Sequence, residues 1–188
     1  MFVRIGKRVQ VVRAWVSPVV GIVVFAISMF GASPLLAQSE DEIKAAFLLN
    51  FARYVEWPES AFSSSDSPVQ ICTLDSDGFD TVVASTIEGK MIGLRSVEVA
   101  AVAGPEFAGG CHILFLGNGS RSGNEVVLAL RKSSVFTVGN DQGFAKQGGI
   151  ANFYRVGNRI RFEINPNAAQ DAGLKISSRL LRLARLVE

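Results

Sequence analysis

The run CHILFLG, residues 111–117, constrains the fold most. It is apolar without alternation, and a strand that is apolar on both faces has to be covered on both. Around it lie VQICTL (69–74) as a strand, FDTVVAST (79–86) as a helix, the alternating RSVEVAAV (95–102) as a strand, a helix over 124–132 and the strand VFTVG (135–139). GKMIGLR (89–95) reads as a turn into a strand. This order predicts an α/β fold, a three-layer sandwich with a mostly parallel central sheet.

The ends of that unit have their own signals. Ser39 with Glu42 three residues on forms a capping box. Ile43, Phe47, Phe51, Tyr54 and Val55 then recur at helical spacing, so the helix runs to Trp57-Pro58. IANFYRVGNRIRFEIN (150–165) holds two alternating runs around Val156-Gly157-Asn158, a hairpin expected at the antiparallel edge of the sheet. Asn165-Pro166 starts a short helix that Gly173 ends. A closing helix from Ser177 has Leu180, Ala184 and Val187 on one face, with Arg182 and Arg185 in its last turns.

Upstream, Arg4, Lys7, Arg8 and Arg13 precede the apolar run VVGIVVFAISMF (19–30) and a small-residue exit at SPLLAQ. That layout is a secretory signal peptide over residues 1–37, cleaved after Ala37. An uncleaved anchor is the alternative, although a core of about a dozen apolar residues is short of the roughly 20 a bilayer span needs. Residues 38–188 then form one domain in the periplasm. The leader holds four of the 19 basic residues and none of the 17 acidic ones. What remains is slightly acidic, which argues against nucleic acid as a partner.

Export also bears on the cysteines. Cys72 and Cys111 are the only two, and in an oxidising compartment such a pair is expected to close into a disulfide. The alternatives are a metal site or a thiol nucleophile. His112 is the only histidine, and next to Cys111 on a strand it points to the opposite face, which disfavours both. A serine triad lacks a base for the same reason.

Two loops invite a ligand. Gly117, Gly119 and Gly123 lie between a buried strand and a helix, but their spacing is GxGxxxG rather than the dinucleotide fingerprint, and Ser120, Arg121 and Ser122 suit an ordinary polar turn. Asp75, Asp77 and Asp80 cluster at the carboxyl end of the first long strand, where they suit an Asx-rich turn capping the next helix. No catalytic group, cofactor or metal is expected from either. Arg53, Tyr54 and Trp57 on the first helix, with Arg179 and Arg182 on the last, have the aromatic and arginine composition of binding hot spots. For Phe51, core packing is the stronger expectation.

EIKAAFLLNFARYVEWP (42–58), ICTL with Cys72, the turn residues Gly89, Lys90, Ile92, Gly93 and Arg95, CHILF (111–115), VFTVGND-GFA (135–145), GGIANF (148–153) and NRIRFEINPNAA--AGLKISSRLLRLA (158–184) together resemble the YfiR family of exported proteins. The resemblance implies a compact periplasmic regulator that is not an enzyme. Its implied partner is the periplasmic part of a membrane diguanylate cyclase or sensor kinase, held inactive by contact. An outer-membrane lipoprotein that sequesters the regulator is a further implied partner; a second copy of the chain, as a homodimer, is a separate candidate that the resemblance does not decide. The best-known member carries a second cysteine pair that this chain lacks, so redox tuning through a second disulfide is not implied. A periplasmic small-ligand sensor or solute-binding domain is the rival expectation.

Overall fold

A computed structural model describes residues 38–118 and 123–188. The expected signal peptide and the polar turn at residues 119–122 lie outside the described residues. Helix α1 (Glu40–Tyr54) starts at the expected capping box: the Glu42 amide donates to Ser39 Oγ at 3.1 Å, and Glu42 Oε2 accepts from the Ser39 amide at 2.7 Å. It ends three residues earlier than its apolar periodicity suggests. Val55 and Glu56 leave the helix as a short strand, β1 (Val55–Glu56), and pair antiparallel with β9 (Lys175–Ile176). The Ser177 amide donates to the Tyr54 carbonyl at 2.8 Å. Those partners satisfy backbone groups that another helical turn would otherwise have bonded.

The main sheet has eight strands in the order β10-β8-β7-β6-β5-β2-β4-β3. They are β2 (Val69–Leu74), β3 (Met91–Ile92), β4 (Arg95–Ala101), β5 (Ile113–Leu116), β6 (Phe136–Gly139), β7 (Ala151–Val156), β8 (Arg159–Ile164) and β10 (Arg185–Leu186). Strands β4, β2, β5, β6 and β7 are mutually parallel, a doubly wound arrangement whose chain order across the sheet is 2-1-3-4-5. Side chains alternate between the faces with period two. Ile71, Ile113, Phe115, Phe136 and Val138 join α1 and α2 (Phe79–Ile87) in one core; Cys72, Leu74, Leu114 and Leu116 join α3 (Gly123–Leu130) in the other. The fold is therefore the expected three-layer α/β sandwich with a mostly parallel sheet.

Two expectations at the carboxyl end need correction. The hairpin β7–β8 is present, closed by Gly157 at a φ of 58°, but it is not the edge of the sheet. The closing helix is only α5 (Ser178–Leu181), after the short α4 (Pro166–Asp171) capped by Asn165. The chain then turns and adds β10 outside β8, with the Val187 amide on the Ile164 carbonyl at 2.9 Å. Arg185 is thus a strand residue, and Arg182 is the residue at which α5 ends. A four-residue helix gains little by itself, whereas β10 brings Arg185 directly opposite a buried acid, Glu163.

Candidate functional site

Cys72 and Cys111 form the expected disulfide, with Cα atoms 5.8 Å apart. It ties β2 to the entry of β5 on the α3 side of the sheet. His112, the next residue, turns away into an aromatic stack at the amino end of the sheet. Phe62 lies over the imidazole at 4.3 Å, the Trp57 ring meets it edge-on at 5.7 Å, and the Arg95 guanidinium covers the far side of Phe62 at 3.7 Å. Trp57 is half-buried, and its indole N–H donates to the His112 carbonyl at 3.2 Å. His112 Nδ1 accepts from the Gln70 amide at 3.0 Å, so the neutral ring carries its proton on Nε2. Burial holds this imidazole below its usual range, against the opposing pull of the Ala61 backbone; the nearby Arg95 charge lowers it further.

The five expected contact residues divide accordingly. Arg53, Arg179 and Arg182 are exposed, and Tyr54 is half-buried. The bond from Ser177 to Tyr54 and the β1–β9 pairing bring the end of α1 beside the start of α5, so the segments carrying Tyr54 and Arg179 meet. Trp57 is engaged with His112 rather than standing free. Phe51 is core, fully buried and packed on Phe136, Phe153 and Phe162.

A second site has no counterpart among the sequence motifs. A cleft of about 520 Å³ opens where β6 ends, lined by Lys44, Asn140, Phe153, Tyr154, Arg155 and Glu163 among others. Glu40, in the first turn of α1, accepts from Lys44 Nζ at 2.7 Å and from Arg155 Nη1 at 2.9 Å. Its carboxyl is held below the usual range chiefly by the bond from Lys44, against a smaller cost of burial. On the other side, Asn152, Glu163 and Arg185 are in register across β7, β8 and β10. Arg185 binds Glu163 through Nε and Nη2 and lies 4.0 Å over the Tyr154 ring. The i,i+4 pair of Glu40 and Lys44 was legible at the helix start. The Glu163 pairing was not, because its partner sits on a strand that the sequence presents as a helix.

The switch point between β2 and β5, where doubly wound sheets take ligands, is packed shut by backbone. A β-carbon on Gly117 would lie 1.8 Å from the Asp75 carbonyl oxygen. Asp75 and Asp77 take left-handed backbone conformations in this turn, and the cap of α2 is Gly78, without a side-chain bond, rather than an aspartate. Among the described residues no group of three or more His, Cys, Asp or Glu side chains is placed to hold a metal ion. Among the same residues no helix is long and apolar enough to cross a membrane.

The YfiR/HmsC-like family model matches residues 41–185, from the first turn of α1 to β10. The chain belongs to the YfiR/HmsC-like family. No curated protein matches it. Among solved structures it is similar to a conserved domain protein from Vibrio cholerae, with 12% identity and a TM-score of 0.56 over 80% of this chain. The chain spans 60% of the length of that protein, and the likeness shows the α/β fold alone. A weaker likeness, TM-score 0.45 at 18% identity, covers 64% of this chain and 55% of a structure described as an ABC domain in complex with L-Trp from Streptococcus pneumonia.

Proposed function

We propose that this member of the YfiR/HmsC-like family is an exported periplasmic regulator that holds an inner-membrane signalling enzyme inactive by protein–protein contact. The enzyme is a diguanylate cyclase, so the regulator lowers cyclic di-GMP. The observation that carries this reading is the family match over residues 41–185. Regulation by contact needs no catalytic group, and the protein is not an enzyme in this reading. The exposed Arg53, Arg179 and Arg182 with Tyr54 supply one surface of the composition that binding hot spots favour.

The test is a pull-down from membranes with residues 38–188 as bait. Recovery of a diguanylate cyclase supports the proposal, recovery of a sensor kinase moves it to that partner, and recovery of a solute transporter overturns it in favour of a ligand-binding role.

A further inference from the structure

The cleft above β6 contains a length of strand edge inside the sheet. Parallel pairing of β6 with β7 stops at Gly139 opposite Asn152, yet β7 continues to Val156, paired there, among the described residues, only with β8. The Asn165 amide donates to the Ile150 carbonyl at 2.8 Å. In an antiparallel pair such bonding alternates, so residues 152, 154 and 156 face β8. The Phe153 carbonyl and the amide and carbonyl of Arg155 point instead towards the gap left by β6, while the Phe153 amide belongs to the last pairing with β6, at Gly139. Asn152 turns its side-chain amide onto the Phe153 carbonyl at 3.2 Å, where a neighbouring strand would otherwise supply a donor. The lining of the cleft agrees, since Phe153 and Arg155 lie on one face of β7 and Asn152 and Tyr154 on the other, yet all four border it. A single cleft reaches both faces of a strand where the sheet is notched.

We infer that this notch takes an extended, acidic segment of a partner protein, added as a strand beside the end of β7 and bonded through the amide and carbonyl of Arg155. Strand addition of this kind draws affinity from main-chain bonds and selectivity from flanking side chains. The flanking charge favours an acid: Lys44, Arg155 and Arg185 line the cleft against two carboxylates, Glu40 and Glu163. Arg155 engages Glu40 through Nη1 and Arg185 engages Glu163 through Nε and Nη2, and each guanidinium has five N–H donors, so both retain capacity for an incoming carboxylate. Both are more than half exposed. The inference rests on the regulatory reading only for the source of the segment.

The test uses residues 38–188 and a blocked peptide, acetyl-Thr-Val-Glu-Val-Thr-amide. Binding should slow hydrogen exchange at the Arg155 amide, and the lysine counterpart of the peptide should bind less well. Arg155→Ala and Arg155→Pro both remove the guanidinium, but only proline also removes the amide that faces the notch, leaving the bonds to β8 in place. Arg155→Pro should bind about tenfold more weakly than Arg155→Ala, the scale of one lost main-chain bond. An unchanged melting temperature checks that Arg155→Pro folds; should it not, a peptide N-methylated at the central residues should fail to bind the unaltered protein. Equal binding by the two variants, tight binding of the N-methylated peptide, or no binding of the acidic peptide would overturn the inference. None of these outcomes bears on whether cyclic di-GMP responds to the protein.

Discussion

Arg185 stands opposite Glu163 in parallel register, and its half-exposed guanidinium closes on a carboxylate that is only 1% exposed. The last strand therefore joins the sheet through an ion pair as well as through backbone bonds. Removing the cation would leave a buried charge without its partner. Arg185→Ala is expected to lower stability by about 3 kcal/mol, the low end for a broken buried pair because water reaches one side of it. Glu163→Met combined with Arg185→Leu should recover much of that loss. Urea denaturation of the single and double variants measures both.

The Trp57 indole is expected to behave as part of the fold. Trp57→Ala should cost about 2–3 kcal/mol, below the range for a fully buried tryptophan. Trp57→Phe keeps the ring against His112 and gives up the hydrogen bond, about 1 kcal/mol. Thermal unfolding of the two variants separates packing from bonding; no change in Trp57→Ala would mean that the ring contributes nothing to the fold.

His112 makes stability depend on pH. Its folded value is lowered from 6.5, so the unfolded chain takes up the proton first. Its contribution is fully present above about pH 6.5 and is lost as pH falls towards the folded value, with a slope of at most about 1.4 kcal/mol per pH unit. Protonation would also place a proton on the nitrogen that accepts from Gln70. His112→Gln should flatten this part of the stability profile, measured by denaturation at a series of pH values.

Much of this fold was legible because local chemistry and tertiary structure agree. The Ser39–Glu42 box, the uninterrupted CHILFLG strand and the Asn165 cap each act within a few residues. The departures have a common cause. Val55 leaves a helix that its periodicity would extend because it meets Ile176, and Arg185 leaves one because it meets Glu163. No local pattern encodes a partner found that far along the chain. The cleft was hidden for the same reason, since its residues come from α1, β7, β8 and β10 and assemble only where β6 stops.

The disulfide between Cys72 and Cys111 should resist thiol labelling in denatured, unreduced protein. Replacing both cysteines by serine should lower stability by about 2–5 kcal/mol, measured by chemical denaturation against the unreduced protein. Quantitative labelling without reductant would show that the bond does not form in the cell.

Cellular cyclic di-GMP tests the regulatory role most directly. Deleting the gene should raise it, and the full chain supplied in trans should lower it again. The same chain lacking residues 1–37, which the proposed export would leave in the cytoplasm, should not. Unchanged cyclic di-GMP after deletion, in cells shown to make the protein, would contradict inhibition of a cyclase.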